Sequence, residues 1–183
     1  KRAYDFFDLK GDVEALAFPA ELRFERDRHP ALHPGRCARI ALGGRTAGWV
    51  GELHPRLQQK YELPVAPVLF EMDTAALAAT ELPRYREVSR FPPVVRDMAV
   101  IVPETIENQA LLDEMDRHRE RVVQRISLFD VYRGKGMPEG EKSLAFRIVM
   151  QDTDKTLTDS EADLAMARLC QAVVSRFGGR LRS

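Results

Sequence analysis

The sequence predicts a mixed α+β protein in two parts, with strands and helices in each part and an antiparallel sheet in the second. Short runs rich in β-branched and aromatic residues recur along the chain, and turns containing glycine or proline separate them. Between these runs lie segments whose apolar residues recur every three or four positions, most clearly at residues 159–177, which indicates amphipathic helices. Residues 83–93 contain three prolines and show neither period, so we expect an extended connector there.

The composition is that of a globular protein without an overall charge bias. Hydrophobic residues make up 44% of the chain, and 28 Lys and Arg residues balance 28 Asp and Glu residues. Nucleic-acid binders usually carry a basic excess, so any RNA contact must use a local patch. No apolar run is long enough to cross a bilayer, and we expect no membrane partner. Because the chain starts at Lys1 without an initiator Met, we expect it to be part of a longer protein.

The cysteine content favours a reducing compartment. Cys37 and Cys170 are far apart in sequence and lack the spacing of metal ligands. Two lone thiols of this kind are typical of buried small side chains in a cytosolic protein. We therefore expect a cytoplasmic location.

In the first part, residues 5–18 are predicted to form a helix that Asp5 caps. One face of this helix is predicted to carry Phe6, Leu9, Val13 and Leu16. Strands are predicted at residues 22–26, 39–42, 46–53 and 68–72. Short helical turns are predicted at residues 55–61 and 75–79.

The segment between the first two strands is predicted to be a loop over residues 29–35. Pro30 and Pro34 exclude a regular helix there. His29 and His33 would be metal-type neighbours on a helix, but without that helix we expect loop histidines rather than a zinc pair.

Two glycines in the third predicted strand need an explanation. Gly48 and Gly51 flank Trp49-Val50. They either let another backbone come close or mark a bulge. Their spacing does not match a phosphate-binding loop.

The second part is predicted to follow the order βαββαβ. Its strands are predicted at residues 97–102, 122–133, 142–151 and 180–182, and its helices at residues 106–119 and 159–177. This order is ferredoxin-like, with two helices on one face of a four-stranded antiparallel sheet. Thr158 and Glu161 have the spacing of a capping box before the last helix, and Gly178 fits its C-terminal end.

The third strand of this part is predicted to have two different faces. Leu144, Phe146 and Ile148 point toward the helices. The opposite face carries Ser143, Ala145, Arg147 and Val149. A flat partner could lie against these small residues, and the alternative is a solvated face with an incidental cation.

The mouth of the hairpin before this strand is a second candidate contact surface. It carries Tyr132, Arg133, Lys135 and Lys142. An aromatic side chain among cations suits base stacking and phosphate contact on single-stranded RNA, although lysine-rich hairpin loops are also common without any ligand. Arg96 either pairs with Asp97 or reaches RNA.

The residues show no catalytic or metal-binding constellation. His54 and His118 have no Ser or Cys nearby in the setting of a nucleophile. Asp152 and Asp154 have too few neighbouring ligands for a calcium loop. We therefore expect no catalytic residue, no metal ion and no cofactor in this chain.

Five separated blocks in the second part resemble a known family. These blocks are residues 91–93, 96–100, 129–134, 142–147 and 156–159. They are similar to the ferredoxin-fold anticodon-binding domain that closes the β subunit of bacterial phenylalanyl-tRNA synthetase. In the first part, residues 5–11, 33–35 and 48–55 resemble the end of the same subunit's synthetase-like core module, a class II-type antiparallel sheet that has lost its catalytic chemistry.

The resemblance implies a division of the chain and a set of RNA-binding residues. Residues 1–83 would be the C-terminal part of the non-catalytic, class II synthetase-like core module, residues 84–90 a linker, and residues 91–183 the anticodon-binding domain. The RNA-binding residues that it implies are Arg96, Tyr132, Arg133, Lys142, Ser143 and Arg147.

The resemblance also implies a role in the ATP-dependent charging of tRNA-Phe by a heterotetramer of two α and two β subunits. The second part would grip the anticodon stem-loop, while the α subunit holds the active site with ATP and magnesium. DNA is not an expected partner. Two alternatives stay open: a regulatory domain that binds a free amino acid, and a purely structural module that docks the partner subunit.

Overall fold

The computed structural model describes residues 2–79, 85 and 87–182. Contacts divide the chain into two compact units, Lys1–Tyr85 and Arg86–Ser183. The predicted linker falls partly outside the described residues, which do not include Pro83, Arg84 and Arg86. The predicted domain boundaries therefore stay predictions. No helix in the described ranges is long and apolar enough to span a membrane.

The first unit is a four-stranded antiparallel sheet with one longer helix. Its strands are β1 (Leu22–Arg26), β2 (Leu32–Leu42), β3 (Arg45–Leu53) and β4 (Val68–Met72), and its helices are α1 (Phe6–Ala17), α2 (Pro55–Lys60) and α3 (Thr74–Ala78). The strands lie side by side in chain order, so each pairs with its neighbour in sequence. The predicted elements of this part are confirmed, with β2 longer than predicted.

Helix α1 begins at its predicted cap and buries most of its predicted face. The Asp5 carboxylate accepts hydrogen bonds from two backbone N–H groups of the first turn. Leu9 and Val13 are buried against β2 and β3. Leu16, which the spacing places on the same face, is 57% exposed, and Ala17 is buried instead. The buried residues of α1 are four positions apart, at Leu9, Val13 and Ala17, so Leu16 lies outside the buried stripe.

Strand β2 begins inside the segment that the sequence predicts as a loop. It starts at Leu32, so the predicted loop over residues 29–35 is too long. Pro34 is tolerated because the register shifts between Leu32 and Cys37, which leaves the proline outside the regular ladder. The Nδ1 atoms of the two histidines in this segment accept hydrogen bonds from backbone N–H groups two residues later, at 3.3 and 3.0 Å. These histidines therefore act as local turn acceptors.

The two glycines of β3 are sites of close backbone approach. A Cβ atom at Gly48 would lie 1.9 Å from the carbonyl oxygen of Glu71. A Cβ atom at Gly51 would lie 2.6 Å from the carbonyl oxygen of Arg36. The register of β2 against β3 also shifts beside Gly48. Close approach thus explains both glycines, and a bulge accompanies the first of them.

The second unit has the predicted βαββαβ order. Its strands are β5 (Val94–Pro103), β6 (Val123–Tyr132), β7 (Glu141–Met150) and β8 (Arg180–Leu181), and its helices are α4 (Asn108–His118) and α5 (Asp159–Phe177). The strands form one antiparallel sheet in the order β6-β7-β5-β8. This is the ferredoxin-like arrangement, and the predicted fold class is confirmed.

One apolar core joins the sheet of the second unit to both of its helices. Phe146 and Ile148 of β7 meet Leu111 of α4 and Leu169 and Val173 of α5, and all five side chains are fully buried. Burial of each such side chain contributes about 1.5–3 kcal/mol. Because β7 is a central strand, it is held on both edges by ladders and on one face by the helices.

The described end of the predicted connector packs on the second unit. The hydroxyl of Ser89 donates a hydrogen bond to the carbonyl oxygen of Asp152 at 2.6 Å. The side-chain amide of Gln151 donates to the carbonyl oxygen of Phe91, also at 2.6 Å. These bonds attach the segment before β5 to the segment after β7.

Helix α5 is bounded by the residues that the sequence predicts. The Thr158 hydroxyl accepts a hydrogen bond from the backbone N–H of Glu161 at 3.3 Å, and the Glu161 carboxylate accepts one from the backbone N–H of Thr158 at 3.0 Å. Hydrogen bonds from Lys155 and Thr158 lower the pKa of Glu161 to about 2. Gly178 ends the helix with φ 64° and ψ 19°.

Thr158→Ala should lower the free energy of unfolding by about 0.5–2 kcal/mol, because the backbone N–H of Glu161 loses its acceptor. Urea denaturation followed by far-UV circular dichroism measures this loss. Thr156→Ala is the matched control, since Thr156 is exposed and precedes the helix without capping it. An equal loss in both variants would contradict the capping role.

Gly48→Ala should destabilise the first unit by about 1–3 kcal/mol or more, because the new methyl group meets the backbone of β4. Gly11→Ala is expected to do the opposite and raise the free energy of unfolding by about 0.5–1 kcal/mol. Gly11 lies inside α1, and a Cβ atom added there would meet no side chain or strand within 4 Å, so alanine only improves helix propensity. Thermal and urea unfolding of both variants gives the comparison, and two changes of the same sign would refute it.

Candidate nucleic-acid interface

Strand β7 separates a buried face of the second sheet from an open face. Leu144, Phe146 and Ile148 are at most 2% exposed, as predicted for the helix side. The side chain of Arg147, between them in sequence, is 49% exposed. Both helices of the unit lie on the buried side, so neither helix covers the other side of the sheet. We call it the open face.

A β-bulge in β6 decides which of its side chains reach the open face. Leu128 pairs with a residue of the buried face, whereas Asp130, two positions later, pairs with a residue of the open face. Phe129 is the extra residue between them and is 52% exposed. After the bulge, Tyr132 also lies on the open face, where it pairs with Ser143. The bulge thus puts two aromatic rings on one surface.

Arg147 lies at the centre of the open face with two partners. Its Nε and Nη2 atoms donate hydrogen bonds to the two carboxylate oxygens of Asp97, at 2.9 and 2.8 Å. Its guanidinium carbon also lies 5.0 Å from the centre of the Phe129 ring. The hydrogen bonds with Arg147 lower the pKa of Asp97, and the same bonds raise the pKa of Arg147.

Tyr132 is covered by a residue from the far edge of the sheet. The guanidinium carbon of Arg182 lies 4.8 Å from the centre of the Tyr132 ring. Because β5 and β7 separate β8 from β6, Arg182 reaches the ring across the open face. Ser143 lies beside Tyr132 on β7 and is only 2% exposed. The Tyr132 hydroxyl donates to the carbonyl oxygen of Lys135 at 3.0 Å, which fixes the ring against the hairpin loop.

Glu104 holds two residues that are predicted to bind RNA, Lys142 and Arg133. The Lys142 ammonium donates a hydrogen bond to the Glu104 carbonyl oxygen at 2.8 Å, and its side chain is 9% exposed. Arg133 donates from Nε to a carboxylate oxygen of Glu104 at 2.9 Å but is 56% exposed. Lys142 is therefore a largely buried cation held by a backbone carbonyl, and its contact with RNA stays a prediction. Arg133 lies at the rim of the hairpin.

Arg96 belongs to the helix side of the sheet. Its Nη2 atom lies 2.6 Å from a carboxylate oxygen of Asp159, and its Nε atom lies 3.7 Å from one of Asp163. The sequence left open a pair with Asp97 or a reach toward RNA, and the structure shows a third arrangement. Arg96 attaches β5 to the first turns of α5, where acidic residues also favour the helix dipole.

The structure thus brings together three of the six predicted residues, Tyr132, Ser143 and Arg147. It adds two that sequence reasoning missed, Phe129 and Arg182. A signal for Phe129 was present, since it is part of the block that resembles the known family. No sequence signal marked Arg182, because its contact with β6 depends on the order of the strands.

Charge on the open face and its rim is largely balanced by ion pairs. Besides the central Asp97 pair, Arg180 donates to a carboxylate oxygen of Glu141 at 2.9 Å, and this bond lowers the pKa of Glu141. Arg125 pairs with the open-face side of β7 and is exposed, with no ion pair to any residue in the described ranges. The surface therefore combines aromatic rings and guanidinium groups without a strong net positive field.

No cluster of three His, Cys, Asp or Glu side chains that could hold a metal ion occurs among the residues with described positions. The open face offers stacking surfaces and hydrogen-bond donors instead. Such a surface is suited to binding a flat, polar partner.

Family comparisons match both units. Residues 89–182, just over half of the chain, match the model of the ferredoxin-fold anticodon binding domain. The chain belongs to the ferredoxin-fold anticodon-binding domain family. Residues 1–74 match the model of the phenylalanyl tRNA synthetase beta chain CLM domain.

The whole chain is also similar to curated β subunits of phenylalanine–tRNA ligase. It is 56% identical over 182 residues to the subunit from Dechloromonas aromatica, covering 100% of this chain and 23% of that subunit. It is 51% identical to the subunit from Nitrosospira multiformis over 182 residues, again 100% of this chain and 23% of the relative. The subunit from Burkholderia pseudomallei is 52% identical over 190 residues, with coverage of 99% and 24%.

These matches confirm the resemblance to bacterial phenylalanyl-tRNA synthetase β subunits in both parts of the chain. The chain spans about a quarter of the length of these relatives. The residues of the open face are therefore the ones to test for a ligand.

Arg147→Met should raise the pKa of Asp97 toward its ordinary value near 3.8, because the carboxylate loses both hydrogen bonds. In the native chain the pKa of Asp97 is lower folded than unfolded, so this pair stabilises the fold above the ordinary pKa and loses that effect as the pH falls through the lowered pKa. An NMR titration of the carboxyl carbon measures the shift. An unchanged Asp97 pKa in the variant would contradict the role of Arg147.

Proposed function

We propose that the chain is the C-terminal region of a phenylalanine–tRNA ligase β subunit, and that its second unit binds the anticodon stem-loop of tRNA-Phe. The observation that carries the proposal is the pair of aromatic rings, Phe129 and Tyr132, each beside a guanidinium group on one open face. The names of the relatives and the matched anticodon-binding model support the same assignment.

The chemistry of this face suits unpaired RNA bases. Bases in a loop are splayed out of the stack and are bound by aromatic rings and guanidinium planes. Small residues of β7 let a flat base approach the sheet. Ser143 lies next to Tyr132 but is only 2% exposed, so an edge hydrogen bond from its hydroxyl would require the neighbouring side chains to move. Arg125 and Arg133, both exposed, lie where they would meet the backbone phosphates. The proposed core of the surface therefore keeps three of the six residues predicted from sequence, Tyr132, Ser143 and Arg147. It adds Phe129 and Arg182.

The proposed contribution to the reaction is positioning. A bound anticodon stem-loop restricts the orientation of the tRNA, which lowers the entropic cost of bringing its acceptor end to the active site. Under this proposal that active site, with ATP and magnesium, belongs to the α subunit of a cytoplasmic heterotetramer. The first unit continues the non-catalytic core module, and no residue of either unit takes part in bond making.

The proposal is tested with the full-length β subunit assembled with its α subunit. Phe129→Ala combined with Tyr132→Ala should raise the dissociation constant of tRNA-Phe by about tenfold or more, because each base–ring stack is worth about 1–3 kcal/mol. In aminoacylation assays the KM for tRNA should rise. Amino-acid activation measured by pyrophosphate exchange should not change, since it needs no tRNA.

Tyr61→Ala is the matched control. Tyr61 is an exposed ring beside a cation, Lys60, but it lies in the first unit. It should leave tRNA affinity unchanged. Unchanged affinity in the double variant would refute the proposal and leave a structural docking role, whereas saturable binding of a free amino acid to the second unit would favour a regulatory domain.

A further inference from the structure

An exposed carboxylate lies in the middle of the proposed RNA surface. Asp97 is on the open-face side of β5, directly opposite Arg147 in the ladder, and its side chain is 46% exposed. A negative charge at such a place repels phosphates and weakens RNA binding if charge alone matters. We therefore looked for a way in which the Asp97 side chain could favour RNA binding.

Asp97 fixes the orientation of the Arg147 side chain. Both of its oxygens accept hydrogen bonds from Arg147, which is the planar, bidentate arrangement that holds a guanidinium group in one orientation. The oriented group lies against Phe129. Phe129 is the extra residue of the β6 bulge and has no partner in the β6–β7 ladder, so its ring depends on side-chain contacts for its position.

We propose that Asp97 is a positioning residue for RNA binding, an inference that rests on the function proposed above. It holds Arg147 flat against Phe129, and the half-exposed Phe129 ring receives one unstacked base of the bound RNA. Asp97 itself does not touch the RNA. We call Asp97, Arg147 and Phe129 the Asp97 cluster. This cluster binds an RNA base by stacking, and Arg147 contacts the Phe129 ring rather than a phosphate.

The charge balance of the cluster supports stacking over phosphate binding. The guanidinium group already has a carboxylate on two of its donors, and the pair carries no net charge. A phosphate would have to displace Asp97 or share the group with it. A neutral pair releases few counterions on binding, so it adds little to the salt dependence of the affinity.

The sign of the effect of Asp97→Asn separates positioning from charge. Removal of a negative charge from a surface that faces a polyanion should tighten tRNA binding if Asp97 acts only by repulsion. If Asp97 positions Arg147 and Phe129, the same change should weaken binding of tRNA-Phe by about 3- to 10-fold. This loss is smaller than the loss of about 5- to 150-fold expected when Phe129→Ala removes a whole base–ring stack.

The measurement is the dissociation constant of tRNA-Phe for the assembled enzyme at several salt concentrations. Asp163→Asn is the matched control. Asp163 is also a carboxylate partner of an arginine, Arg96, but it lies on the helix side of the sheet. This variant should not weaken binding. Arg147→Ala should weaken binding without changing the slope of log affinity against log salt, whereas loss of a phosphate contact would reduce that slope by about 0.7.

A double-mutant cycle tests the link between Asp97 and the ring. If Asp97 acts through Phe129, Asp97→Asn should not weaken binding further in a Phe129→Ala background. A merely structural role would give additive losses. The side chains of Asp97, Arg147 and Phe129 are each about half exposed, so circular dichroism should show that all variants are folded.

Two outcomes would overturn the inference: tighter or unchanged binding by Asp97→Asn, or additive losses in the cycle. Deletion of residues 91–183 from the assembled enzyme distinguishes this failure from that of the proposed function. If the deletion leaves tRNA affinity unchanged, the proposed function fails. If the deletion weakens binding while Asp97→Asn does not, only the role of Asp97 is refuted.

Discussion

The burial of alternate β7 side chains beneath α4 and α5 is the constraint on which the second unit depends. Neighbouring residues of a strand point to opposite sides, so the burial of Phe146 and Ile148 forces Arg147 outward. A slip of one residue would place the guanidinium group in the core and the two large apolar side chains in water. The register is therefore strongly specified by packing, and the position of the open face follows from it.

The edge strand β6 contains a bulge that leaves the register of the central strands unchanged. β6 lies at one edge of the sheet, with β7 as its neighbour, so it can accommodate an extra residue at Phe129 while the central ladder between β5 and β7 stays regular. The bulge brings Phe129 and Tyr132 to the same face. Guanidinium groups then reach both rings from elsewhere in the sheet, Arg147 from β7 and Arg182 from the end of β8.

The arrangement shows how a chain with no net charge can present the surface that we propose for RNA binding. Cations on the helix side have structural partners, as Arg96 has in α5 and Lys142 has at the carbonyl of Glu104. On the open face, Asp97 balances Arg147. What the face presents is aromatic area with oriented guanidinium groups, so stacking geometry matters more there than the long-range field.

The sequence by itself determined the features that depend on near neighbours along the chain. The βαββαβ order, the two faces of β7 and the capping of α5 by Thr158 all follow from local periods and spacings, and the structure has each of them. The sequence could not show the bulge at Phe129, the burial of Lys142 or the reach of Arg182 to Tyr132. Each of these depends on which residues, distant in sequence, the folded sheet places side by side, and only tertiary packing decides that.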